Sequence, residues 1–295
     1  MKRIFTVLMA ILLVTAMLMS LASCGSSDNT EEAEVFTTDE AVYTESATPV
    51  GNTSAEILNY FNSLVNGVKI SRPAINYSFD KNVPNDIKVT KRGEEDSEEI
   101  DETLTAINNS AKGIKDMILE DIKSSSGEVA FGADNTDVLF AKGESWTSKL
   151  TVADIDYATI KEVGDNYYIT IVFNDIEKNG DTTALAKAFD LRDKDTILAS
   201  EEFAKTSEYL KFNDYDVAYA GCKITATVNR LTNEITNINY YKAALVTAYM
   251  TGAGTLKDYG EVSVIFKLED TANYDITWTT ELPTSPLETT EAVSE

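Results

Sequence analysis

The spacing of apolar positions changes from helical to strand-like along this chain. Ile57, Phe61, Leu64, Val65 and Val68 recur on one helical face, and Thr53 with Glu56 has capping-box spacing. The folded part is therefore expected to begin at Thr53, with a helix ending near Gly67 to Lys69. Pro73 and Pro84 bracket an extended piece in which Ile75, Tyr77 and Phe79 alternate. After a charged loop at 92–102, Leu104, Ile107, Ala111, Ile114, Ile118 and Ile122 form a single stripe, which predicts a second helix ended by Ser124 to Gly127. From Glu128 the period falls to two. Strands are expected at Val129 and Phe131, at Val138 to Phe140, and at Tyr167, Ile169, Ile171 and Phe173. The stretch 182–209 is mixed, with short helices expected around 196–209. Alternation then returns in Tyr215–Tyr219, Ile224–Val228, Ile235–Tyr240, Ala244–Met250, Val262–Leu268 and Tyr274–Trp278.

Helices first and successive strands afterwards make an α+β plan. Short turns between the strands favour antiparallel pairing. Many strands carry one apolar face and one face of Thr, Asn or Lys. The expected architecture is a curved antiparallel β-sheet, half-barrel-like, packed against two N-terminal helices.

The two ends have a different composition. Lys2 and Arg3 precede an apolar run from Ile4 to Met19, short of the roughly 20 residues that span a bilayer. Leu21-Ala22-Ser23-Cys24 follows and closely resembles the lipobox of bacterial lipoproteins. That resemblance implies a lipoprotein signal peptide over 1–23, cleavage before Cys24, and acylation of Cys24. The mature chain would then be held at the outer face of the cell membrane. Residues 24–52, rich in Ser, Thr and acids, are expected to form a disordered tether. As a flexible coil it would reach about 30 Å. A single α+β domain is expected over 53–281, and a disordered tail over 282–295.

Charge narrows the function. The chain has 25 basic and 49 acidic residues, a net charge of −24. Such a surface repels nucleic acid and anionic lipid, so no nucleic-acid partner is expected. There are no histidines. This removes the commonest general base, metal ligand and partner of a nucleophile. With Cys24 acylated, Cys222 has no disulfide partner, and its place in a strand pattern reads as a small buried residue. Asp190-x-x-Asp193-x-Asp195 has some of the acids of a calcium loop, but Arg192 and Lys194 interrupt it and its glycine is missing, so it reads as a solvated charged loop. Trp146, Trp278 and the tyrosines read chiefly as core. No catalytic residue, metal or cofactor is expected, and the chain reads as non-catalytic.

The order of elements over 53–281 resembles the half-barrel lipoproteins that include LolA, LolB and the LppX group, which hold lipids between a concave sheet and its helices. Tyr60-Phe61-Asn62, the Gly143–Leu150 segment with Trp146, and Tyr219-Ala220-Gly221-Cys222 resemble lipoproteins of Gram-positive clostridia. Two functions stay open. One is a binding module for an apolar or amphiphilic ligand inside the sheet. The other is an accessory subunit of a cell-envelope complex, with an envelope protein as its partner.

Overall fold

A computed structural model describes residues 53–84, 87–98, 104, 105, 108, 124–191 and 210–278. The expected signal peptide, Cys24, the expected tether and the expected tail lie outside these residues. So do most of the second helical stripe, the helices expected at 196–209, and Asp193 and Asp195.

Helix α1 (Ser54–Ser71) starts as expected. Thr53 caps it: the Glu56 N–H donates to Thr53 Oγ1 at 3.4 Å, and the Thr53 N–H donates to Glu56 Oε2 at 3.1 Å. It ends where Arg72 turns left-handed at φ 51° and returns its N–H to the Val68 carbonyl, just before Pro73. Ile57, Leu58, Phe61, Leu64, Val65 and Val68 are all buried.

Among the described residues nine strands form one antiparallel sheet: β1 (Ala74–Asn82), β2 (Lys88–Lys91), β3 (Ser124–Val129), β4 (Ile155–Val163), β5 (Asn166–Phe173), β6 (Leu210–Tyr219), β7 (Lys223–Asn229), β8 (Glu234–Gly252) and β9 (Glu261–Thr277). Their order is β3-β1-β9-β8-β7-β5-β4, with β2 also on β9 and β6 also on β8. The terminal strands β3 and β4 do not pair with each other, so the sheet is open. A single helical turn, α2 (Thr183–Ala186), buries Leu185.

The long strands β8 and β9 organise the sheet. The first half of β8 pairs with β7 and its second half with β6. The first half of β9 pairs with β2 and its second half with β1. This ribbon therefore carries two overlapping stretches of sheet. α1 covers one of them: the Tyr60 hydroxyl donates to Asn233 Oδ1 at 2.9 Å, and Ser54 Oγ accepts from the Ala158 N–H at 3.2 Å. At the other, Leu104, Thr105 and Asn108 have helical backbone. Asn108 docks on β2 by exchanging two hydrogen bonds of 2.8 Å with the Val89 backbone.

Three expectations change. Val138 to Phe140 is not a strand. Its backbone turns back on itself, the Val138 and Leu139 N–H groups donating to the Asn135 carbonyl at 3.2 and 3.3 Å, and the Val138 carbonyl accepts from the Tyr274 hydroxyl at 3.0 Å. Leu139 and Phe140 still enter the core, Phe140 edge-on to Tyr240 at 4.6 Å. The strand expected at Val129 and Phe131 lies earlier, at Ser124–Val129. As an edge strand it lacks apolar alternation, and the Tyr77 ring packs over Gly127, so a larger residue there would have to displace that ring. Finally, Ile235–Tyr240 and Ala244–Met250 are one strand of 19 residues, and Val262–Leu268 and Tyr274–Ile276 share one of 17.

Candidate functional site

Side chains on one face of a strand recur every second residue, so cross-strand partners form rows. On the inner face, Tyr77, Tyr274 and Ile238 make one row, and Phe79, Ala272 and Tyr240 the next. Further along, Ala244 pairs with Leu268 and Val246 with Phe266. Between these apolar rows lies a charged one: Lys81 on β1, Asp270 on β9 and Lys242 on β8.

Lys242 Nζ is 3.3 Å from Asp270 Oδ2, with the two side chains only 8% and 14% exposed. Both Asp270 oxygens are shielded from solvent, and Lys242 Nζ is the donor beside Oδ2. Burial pushes the Asp270 carboxyl above its ordinary value, against the opposing pull of Lys242 and then Lys81. Tyr219 stands nearby, its hydroxyl pushed up to about 12 by burial, with smaller contributions from Cys222 and Asp270. Cys222 is buried as expected, with Sγ 3.7 Å from the Ala243 carbonyl. Burial raises its thiol, so it is not poised as a thiolate.

A second polar cluster lies under α1. Asp190 Oδ1 accepts from the Ala141 and Lys142 N–H groups at 2.9 and 3.4 Å, while Oδ2 is buried without a partner. The Tyr240 hydroxyl is likewise buried without a partner. Lys69 Nζ donates to the Ala141 and Glu144 carbonyls at 2.6 and 3.1 Å. Burial lowers its pKa to about 8, although Asp190, Glu144, Asp137 and Asp134 pull the other way.

The chain matches no known protein family, no curated protein and no solved structure. Its site therefore has to be read from its own residues. Asp190, first acid of the calcium-like stretch, holds a backbone turn, and the described residues contain no cluster of metal-ligating side chains. Trp146 is half-buried rather than core: its indole N–H donates to Glu144 Oε2 at 2.9 Å, and the Lys149 ammonium sits 4.1 Å from its ring centroid. Trp278 packs against the core and donates to the Ile235 carbonyl at 2.7 Å.

Lys242 and Asp270 were not singled out from the sequence, although their signal was present. Lys242 sits in the gap between Tyr240 and Ala244, and Asp270 in the gap between Leu268 and Tyr274. Both gaps read as strand ends. They are inward-facing charges within continuous strands. Chemically, the row offers a buried carboxylate with one oxygen facing a buried ammonium and the other unpartnered, flanked by apolar side chains.

Proposed function

We propose that this chain is a membrane lipoprotein, acylated at Cys24 and held at the outer face of the cell membrane, that acts as a non-catalytic binding module for an amphiphilic ligand. The anchor reading rests on Lys2, Arg3, the Ile4–Met19 run and Leu21-Ala22-Ser23-Cys24. In this reading the curved sheet and two helices form a half-barrel.

The observation that carries the binding role is the Lys242–Asp270 row between two apolar stretches of the inner face. Burying two charges carries a desolvation penalty of several kcal/mol per ion, and apolar residues of similar volume would serve stability at least as well. Lys242 approaches Asp270 Oδ2 at 3.3 Å, and Oδ1 is buried with no donor beside it. A ligand hydroxyl or amine would supply one, while its hydrocarbon part lies along the flanking rows.

Native mass spectrometry of the detergent-solubilised full chain tests this. A lipid-sized adduct is expected on the wild type and not on Lys242→Met/Asp270→Leu. An adduct that survives in the double variant places the ligand elsewhere. A clean mass on the wild type, with a stable partner recovered from the envelope, favours the accessory-subunit role. Cys24→Ala should release the chain from the membrane fraction or leave it unprocessed, and unchanged fractionation refutes the anchor.

A further inference from the structure

The outer face of the sheet has the opposite chemistry. Thr159, Thr170, Thr225, Asn239, Asn273 and Ser78 are successive cross-strand partners on β4, β5, β7, β8, β9 and β1. The row crosses six strands, about 24 Å at the usual strand spacing of about 4.8 Å. Thr159 is exposed and the other five are partly exposed. All six are also uncharged, in a chain whose net charge is −24. Tyrosines flank the row: Tyr168 on one side, Tyr157 and Tyr241 on the other. Tyr157 and Tyr168 are 46% and 44% exposed.

We infer that this face docks an extended, uncharged β-1,4-linked glycan bearing N-acetyl groups, lying across the strands. The acidic molecule disfavours polyanions, and the hydroxyl and amide row offers little to an apolar partner. What suits it is a neutral polymer dense in hydroxyl and amide groups. An extended β-1,4 glycan is a flat ribbon whose sugar-to-sugar advance is close to the strand spacing, so successive sugars meet successive strands. Side-chain amides match the donor and acceptor pair of an acetamido group. Tyrosine rings provide flat, amphipathic surfaces for the sugar faces.

The face is also pre-organised, which lowers the ordering penalty of binding. The Asn239 amide donates to Asn273 Oδ1, and the Asn237 amide donates to Asp275 Oδ1 at 2.7 Å. Tyr241 donates to Glu269 Oε1 at 2.8 Å while Lys223 Nζ lies 5.5 Å from its ring centroid. This site is independent of the inner-face reading, and either can fail alone.

The test is co-sedimentation of the detergent-solubilised full chain with insoluble chitin, a polymer of β-1,4-linked N-acetylglucosamine, together with NMR titration by its soluble tetramer. The wild type should sediment. Tyr168→Ala and Thr225→Asp should each weaken binding at least tenfold without moving the melting temperature, and Lys242→Met/Asp270→Leu should bind chitin as the wild type does. If Thr225→Asp fails to fold, Tyr168→Ala decides, because Tyr168 is an exposed side chain on the outer face. A wild type that stays in the supernatant and shows no tetramer-induced shifts overturns the proposal. Retention unaffected by the face variants also overturns it. So does a dimer in sedimentation velocity that Thr225→Asp dissociates, since the face is then covered by a second copy.

Discussion

Lys242 and Asp270 form a pair whose energetics depend on both partners being present. At 3.3 Å and with little exposure, their attraction offsets part of what each charge lost by leaving water. Removing one partner strands the other. Lys242→Met should therefore lower unfolding stability by about 3 kcal/mol, whereas Lys242→Met/Asp270→Leu should stay within about 1 kcal/mol of the wild type or exceed it. Urea unfolding of the two single variants and the double variant measures the coupling. A silent Lys242→Met would show that the charges do not depend on each other. This arithmetic also separates roles, because a double variant that folds and no longer carries an adduct has lost a site and kept its scaffold. From the sequence the row was legible only as two interruptions in apolar alternation. An inward charge and a strand end leave the same mark on a period-two pattern, and only the register distinguishes them.

Between elements, a dense polar joint docks the 143–150 segment on α1. Asn62 and Asn66 stand one turn apart on the helix. The Asn66 amide donates to the Ser148 carbonyl at 2.9 Å, and its Oδ1 accepts from the Thr147 and Ser148 N–H groups at 2.7 and 2.9 Å. Asn62 donates to the Leu150 carbonyl at 2.8 Å and accepts from Ser148 Oγ at 2.7 Å. Thr147 and Ser148 are buried, so water does not readily replace these bonds. Asn66→Ala should lower stability by about 2–3 kcal/mol, since it leaves two buried N–H groups unpaired. Asn62→Ala should cost less, and the double variant should cost less than the sum, as denaturant midpoints will show. Two stretches that stood out in the sequence, Tyr60-Phe61-Asn62 and Gly143–Leu150, are thus in contact through this joint. The sequence predicted α1 down to its cap, because a capping box and a five-residue apolar face act locally. It predicted the antiparallel character of the last third, because alternation there is strong. It placed β3 too late, because the serines and glycine of that edge strand carry no apolar signal, and it missed β4. It also missed the length of β8 and β9, because the charged row hid their continuity.

Across the whole molecule, alkaline pH sets two effects of opposite sign against each other. Lys69 has a folded pKa of about 8, below the roughly 10.4 of an unfolded lysine. Between those values the unfolded chain binds more protons, so this group makes stability rise with pH. Tyr60, Tyr219, Tyr241 and Tyr249 are each pushed up to about 12, with burial the largest cause in every case. The fully buried Tyr240 is raised further. An unfolded tyrosine titrates near about 10, so above that pH the folded state holds protons that the unfolded chain releases. Stability should then fall, and five tyrosines outweigh one lysine. The expected profile is a shallow rise between about pH 8 and 10, removed by Lys69→Met, followed by a steep fall. Urea midpoints across that range, with tyrosinate absorbance read on the same samples, test both limbs. At pH 11 the folded protein should withhold roughly five of its 14 tyrosines from ionisation and release them on unfolding. Full ionisation of all tyrosines in the folded state at that pH would mean that the Tyr240 hydroxyl, at the centre of the aromatic core, is open to water.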